Sequence, residues 1–198
     1  RDHCRQEDGP EATLLGHAQE AWLAEGLANS ARWNLIAQQV RMMPLVKRGA
    51  DGATTPVSMD QWSGYPAARA RLVQAITNRK LTNVVVASGD AHVHNVGTVP
   101  LRDDRAPDGP AAATEFLCTS ISSAGDGGPE SPGTRIYRTS DNPNLALANA
   151  QRGYQTFDIT PREWRTDVKV MDRVQTPGGA VSTLARFTVT PDRPALLT

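Results

Sequence analysis

The segment Asn83-Val84-Val85-Val86-Ala87 constrains the fold most. Consecutive β-branched side chains resist a helix and suit a strand. An apolar run without alternation needs cover on both faces, as the inner strands of layered α/β sheets have. The run ends at Ser88-Gly89-Asp90-Ala91-His92-Val93-His94-Asn95. In α/β folds, ligands bind beyond the carboxyl ends of the strands. Gly89 permits a tight turn next to a ligand. Asp90 and His92 are spaced so that, in extended geometry, both point to one side. A carboxylate beside an imidazole suits a transition metal or a mixed metal pair. Such a centre needs about three or four protein ligands, so this motif cannot complete one by itself.

The rest of the chain reads as a loop-rich globular domain. Its 198 residues suffice for one domain with a core, and residues 1–198 are read as part of a single domain. Lys plus Arg and Asp plus Glu are equal at 21 each, which argues against a nucleic-acid surface. No stretch approaches the roughly 20 apolar residues of a membrane span. Cys4 and Cys118 match no zinc spacing and read as one disulfide or two free thiols. The sequence begins at Arg1, which we read as the start of a processed chain, a fragment or an expression product, and no signal peptide is apparent.

Periodicity predicts helices over 17–28 and 67–77, the second with Pro66 in its first turn, and a short helix over 143–150. Strands are expected at 33–43, 83–87, 114–122, 154–159, 164–171 and 185–189, with loops at 47–58, 102–113 and 124–134. This order is α/β, with a sheet that continues into sequence outside this chain.

Several further segments, in order along the chain, carry a resemblance. They are Leu15-Gly16 with Gln19 and Trp22-Leu23; Ser30 to Val40; Asp60, Trp62, Gly64, Tyr65 and Arg69; Ser88 to His92; Glu115-Phe116 with Thr119 to Ser123; Asn142-Pro143; and Arg152-Gly153-Tyr154. Together they resemble the C-terminal part of alkaline phosphatase D-type enzymes, within the calcineurin-like metallophosphoesterases. Phospholipase D-like and glycerophosphodiester-hydrolysing relatives from actinomycetes share the pattern.

The resemblance implies the C-terminal half of an α/β/β/α sandwich, completed by an N-terminal chain of the same precursor held without a covalent link; the alternative is that the sequence is a truncated piece of one longer chain. It implies a dinuclear centre, iron plus a divalent ion (Ca, Mn or Zn), with Asp90 and His92 as the ligands from this chain. Related enzymes have Gly-His-x-His here; Asp90 replaces the first histidine and is a harder, anionic ligand. His94 and Asn95 are candidates for protonating the leaving alkoxide or binding phosphate. Asp60 is a substrate-side candidate or a cap of the next helix. Trp62 and Tyr65 line the pocket or pack the core, and Arg69 contacts phosphate or forms a structural ion pair. His3 and His17 read as surface residues, and the Ser/Thr run at 119–123 as strand packing. The implied activity is hydrolysis of phosphate esters, diesters such as phospholipids or glycerophospho-alcohols before monoesters, with a small-molecule or lipid substrate and a secreted location. The competing class is a non-catalytic binding or regulatory chain with a vestigial motif.

Overall fold

The computed structural model describes residues 9–102, 110–129 and 141–197. Its main sheet contains β1 (Asn34–Ala37), β4 (Val84–Ser88), β5 (His94–Pro100), β6 (Ala111–Leu117) and β7 (Leu145–Asn149) in the order β1-β4-β6-β5-β7. β1, β4 and β6 run parallel, and β5 and β7 join antiparallel to their neighbours. A second, antiparallel sheet holds β8 (Gly153–Ile159), β9 (Trp164–Met171), β10 (Val181–Thr190) and β11 (Arg193–Leu197) in the order β11-β10-β9-β8. A hairpin of β2 (Val46–Arg48) and β3 (Thr54–Pro56) stands apart. Among the described residues, the helices α1 (His17–Gly26) and α2 (Pro66–Asn78) and a 3-10 turn at Trp62–Gly64 complete the arrangement.

The three layers follow from the unbroken apolar run. Val84 and Val86 face the helices and share a core with Ile36, Leu72, Val73 and Ile76. Val85, one residue out of phase, faces the second sheet with Val96, Phe116, Trp164 and Val168. Each face of β4 is therefore covered, as its lack of alternation requires. Phe157 adds ring contacts to Phe116 and Trp164 at centroid distances of 5.8 and 5.2 Å. The helix layer is tied by Arg71 of α2, which pairs with Glu20 of α1 at 2.9 Å and donates to the carbonyls of Pro10 and Ala12.

The α/β expectation holds, and so do the helices at 17–28 and 67–77 and the strands at 83–87, 154–159 and 164–171, within a few residues. The segment 143–150 is not a helix. Its alternating Leu and Ala favour one locally, but β5 offers an open edge and β7 pairs with it, so tertiary pairing overrides propensity. Residues 47–58 are not loop throughout, since they contain the β2–β3 hairpin. The strand expected at 114–122 instead spans 111–117, so residues 119–123 lie beyond its end. His3 and Cys4 lie outside the described residues, while Cys118 is a free thiol.

Candidate functional site

The parallel register brings three strand ends to one edge. Ala37 pairs with Ala87, and Ser88 with Leu117. Immediately beyond, Gly89 N–H donates to Gln39 O at 3.1 Å and Cys118 N–H to Ser88 O at 2.8 Å. The Gly89–Val93 turn is thus held on both sides at the carboxyl edge of the sheet.

Asp90 and His92 are not in extended geometry, contrary to the spacing argument. Both are left-handed, with φ of 70° and 55°. Ala91 N–H closes a tight turn onto Gly89 O at 2.9 Å. Ala91 packs against a small apolar cluster of Val93, Leu117 and Ala150, while Asp90 and His92 on either side of it are exposed. The left-handed region costs a non-glycine residue about 1–2 kcal/mol. Lys80, also left-handed, has an ordinary reason: it ends α2, with its N–H on Thr77 O. Residues 90 and 92 have no such cap role, and strained positions of this kind collect at functional sites.

Below the turn, on the helix side, lies a layer of buried polar groups. Glu115 is fully buried and accepts from Met42 N–H at 2.8 Å, Met43 N–H at 2.5 Å and Ser88 Oγ–H at 2.5 Å. Burial pushes its pKa up, while those donors and the Arg41 charge oppose the rise. Arg41, also buried, donates to Asn95 Oδ1 at 3.3 Å. On the other side of the sheet, the His94 ring meets Gln155 at 3.2 Å. Burial pushes the His94 imidazole down to about 4; the nearby Lys169 backbone opposes this and the Arg152 charge adds to it. His94 is therefore neutral in neutral solution.

The structure places His94 and Asn95, the expected leaving-group or phosphate contacts, inside the sheet. Both are fully buried, on opposite faces of β5, because adjacent strand residues alternate. Among the described residues neither presents a polar atom at the surface, and both lie in the sheet beneath the turn. Trp62 is buried in the helix-side core, and its Nε1–H donates to Gln38 Oε1 at 2.5 Å. Tyr65 is half-buried against the same core, and Arg69 is buried in the first turn of α2. Asp60 is exposed and accepts from Ser58. The structure thus unites Asp90 and His92 at one turn and puts Trp62, Tyr65 and Arg69 into packing positions.

The donor set fits a share of a metal centre. Asp90 and His92 present one carboxylate and one imidazole from a rigid turn. Among the described residues, no group of three or more His, Cys, Asp and Glu side chains is placed to hold an ion. A groove of about 310 Å³ between α1 and α2, lined by Leu15, Leu23, Trp62 and Leu72, contains neither ligand candidate.

Arg152, Glu115 and Arg41 carry no sequence signal of these contacts, although the first two lie in family-like motifs. A buried charge at a strand end leaves no periodic signature. Gly127 shows how tightly the edge is packed. It is left-handed at φ 70°, and a Cβ there would lie 1.8 Å from Ala150 O. Gly127→Ala is expected to destabilise the protein by about 3 kcal/mol, combining left-handed strain with overpacking. Urea unfolding of the variant beside the wild type checks this, and a loss under about 1 kcal/mol would contradict the packing described.

Comparison with known proteins gives one consistent result. Residues 1–168 match the family described as PhoD-like phosphatase. The chain is 37% identical over 190 residues to alkaline phosphatase D of Bacillus subtilis (strain 168), covering 94% of this chain and 32% of that protein. A solved structure, "Structure of PhoD", superposes with a TM-score of 0.84 at 36% identity, covering 95% of this chain and 35% of the other. The chain therefore spans about a third of the length of the relatives it matches. On the extent of these matches, it belongs to the PhoD-like phosphatase family.

Proposed function

We propose that this chain supplies part of the active site of a metal-dependent phosphoester hydrolase, with Asp90 and His92 as its metal ligands. The observation that carries the reading is the pair of exposed, left-handed residues at the carboxyl edge of the sheet, in a chain of a phosphatase family. When bound, a dinuclear centre of iron and a divalent ion (Ca, Mn or Zn) lowers the pKa of a water and neutralises phosphate charge. The chain's own contribution is to hold two ligands in a fixed turn on a rigid sheet.

Phosphodiesters, including phospholipids and glycerophospho-alcohols, are the proposed substrate class, supported by the resemblance to phospholipase D-like relatives. Monoesters are the second reading, favoured by the name of the Bacillus subtilis relative. Assays of the full-length protein on bis(p-nitrophenyl) phosphate and p-nitrophenyl phosphate, with elemental analysis of the same preparation, decide between them. A higher kcat/KM on the diester is expected. Absence of both metal and turnover in the wild type would overturn the enzyme reading in favour of a non-catalytic chain.

The remaining ligands are proposed to come from an N-terminal chain of the same precursor, and the assembled protein to act outside the cell. Support for the partner comes from the surface. Among the described residues, β1 pairs on one side only, and its Leu35 is 51% exposed. Trp22 of α1 is 68% exposed. Parallel strands are normally covered on both faces, and bare sheet edges invite pairing. Among the described residues, no helix is long and apolar enough to cross a membrane. Size-exclusion chromatography of co-expressed pieces is expected to show one complex; two separately eluting chains would refute the assembly.

A further inference from the structure

We propose that Arg152 is a positioning residue for the metal-ligand turn, holding the backbone of His92 in its left-handed conformation. The inference rests on the reading of His92 as a ligand. Arg152 is 2% exposed at the entry to β8. Its Nη2 donates to His92 O at 3.1 Å and also to Ala150 O. Its Nη1 donates to Ser120 Oγ at 2.5 Å and to Ser123 O at 2.6 Å. One guanidinium therefore links the ligand turn after β4, the loop after β6 and the end of β7.

The acceptors explain the residue type. They are carbonyls and a hydroxyl, and among the described residues no carboxylate forms an ion pair with Arg152. Such a buried charge is held by hydrogen bonds alone, so each acceptor matters. The planar fork of an arginine reaches diverging acceptors that a lysine ammonium on its flexible stem cannot span in the same way.

The platform behind Arg152 is itself fixed. Its carbonyl accepts from Met171 N–H at 2.8 Å, which locks its backbone to the end of β9. Gly127 closes over the guanidinium, since a Cβ there would lie 2.7 Å from Nη2. Asp126 holds that loop by accepting from the N–H groups of Val174 and Gln175 at 2.6 and 2.8 Å. Strain at His92 persists only if its surroundings enforce it. Among the described residues, the side chain that hydrogen-bonds the His92 backbone is Arg152.

The test is Arg152→Lys in the full-length protein, read in two ways. Hydrogen exchange of the metal-free protein is followed in a peptide spanning 88–94 and in strand peptides of β4 and β9. Iron, calcium, manganese and zinc per chain are then measured after dialysis against EDTA. Exchange in 88–94 is expected to rise about tenfold with the strands within twofold of wild type, and retained metal to fall by about 10–100-fold, as for other groups that orient ligands. Ser120→Ala, which removes one Nη1 acceptor, should shift both readouts the same way by a smaller factor. If Arg152→Lys leaves both readouts within twofold, or loosens turn and strands equally, the positioning role is refuted. If Arg152→Lys does not fold, Ser120→Ala decides by the same criteria. A wild type that holds no metal overturns the functional reading instead, and the exchange comparison still decides whether Arg152 holds the turn.

Discussion

His92→Gly and Asp90→Gly are each expected to lower phosphoester turnover of the full-length protein by about 1000-fold or more while leaving its fold at least as stable. The first half follows from the ligand assignment, because metal-derived stabilisation of the transition state is worth several kcal/mol and each ~1.4 kcal/mol is a factor of ten. The second half follows from the backbone. Both residues are left-handed and exposed. Glycine enters that region without the penalty of about 1–2 kcal/mol that a Cβ incurs, though it loses about 0.5–1 kcal/mol to the freedom of the unfolded chain. The net change in stability lies between zero and a gain of about 1 kcal/mol. Asp90→Asn separates the two causes, since it keeps a side chain that tolerates this conformation and removes only the charge. Turnover of the metal-loaded glycine variants should therefore fall, while thermal denaturation of the metal-free variants, where no metal adds stability, should stay level or shift upward. Retention of turnover within tenfold of wild type in either glycine variant would remove that residue from the ligand set. A loss of several kcal/mol in the stability of the metal-free protein would show instead that the turn is structural.

That contrast explains what the sequence made legible. β4 and its terminal motif could be read because the fold demands them through composition: Val84, Val85 and Val86 need cover on both faces, and the chain must turn at Gly89. Local chemistry announces such features. The left-handed turn was not legible, since two-residue spacing carries the same letters whether the backbone is extended or folded back. β5 was missed because His94, Asn95, Gly97 and Pro100 break its apolar pattern, although Val96 and Val99 are completely buried. A central strand can hold polar residues when neighbouring layers offer them partners, as Gln155 does for His94 Nδ1 and Arg41 for Asn95 Oδ1. His94 and Asn95 lie inside the sheet for the same reason. Proximity in sequence to the motif placed them near the site, but pairing with β6 and β7 drew them inside. The Ser/Thr run at 119–123 was taken as strand, yet Ser120 and Ser123 are acceptors for Arg152 at the edge of the sheet. Long-range hydrogen bonds of that kind have no period in the sequence.

Glu115 provides the largest expected effect on folding, and its variants test whether the buried polar layer supports the site or merely fills space. Its two oxygens take three donors: Met42 N–H and Ser88 Oγ–H on Oε1, and Met43 N–H on Oε2. The Arg41 charge stands nearby. Glu115→Ala deprives all three donors of their acceptor in a buried layer and leaves the arginine without that countercharge. Breaking a buried charged pair in this way costs about 3–5 kcal/mol. Glu115→Gln keeps an oxygen for Met42 and Ser88 but turns an amide NH₂ toward Met43 N–H, so two donors meet. One lost charge-assisted bond costs about 1.5–3 kcal/mol. Stability should therefore fall in the order wild type, Gln, Ala, measured by urea unfolding of the full-length protein. Because Ser88 immediately precedes Gly89, the same order should appear in hydrogen exchange of the 88–94 turn at urea concentrations well below the unfolding midpoint. Equal stabilities for Gln and Ala would mean that the donors find other partners. Loss of stability without faster exchange at the turn would mean that Glu115 holds the chain after β1 in place, through Met42 and Met43, and has no hold on the ligand turn.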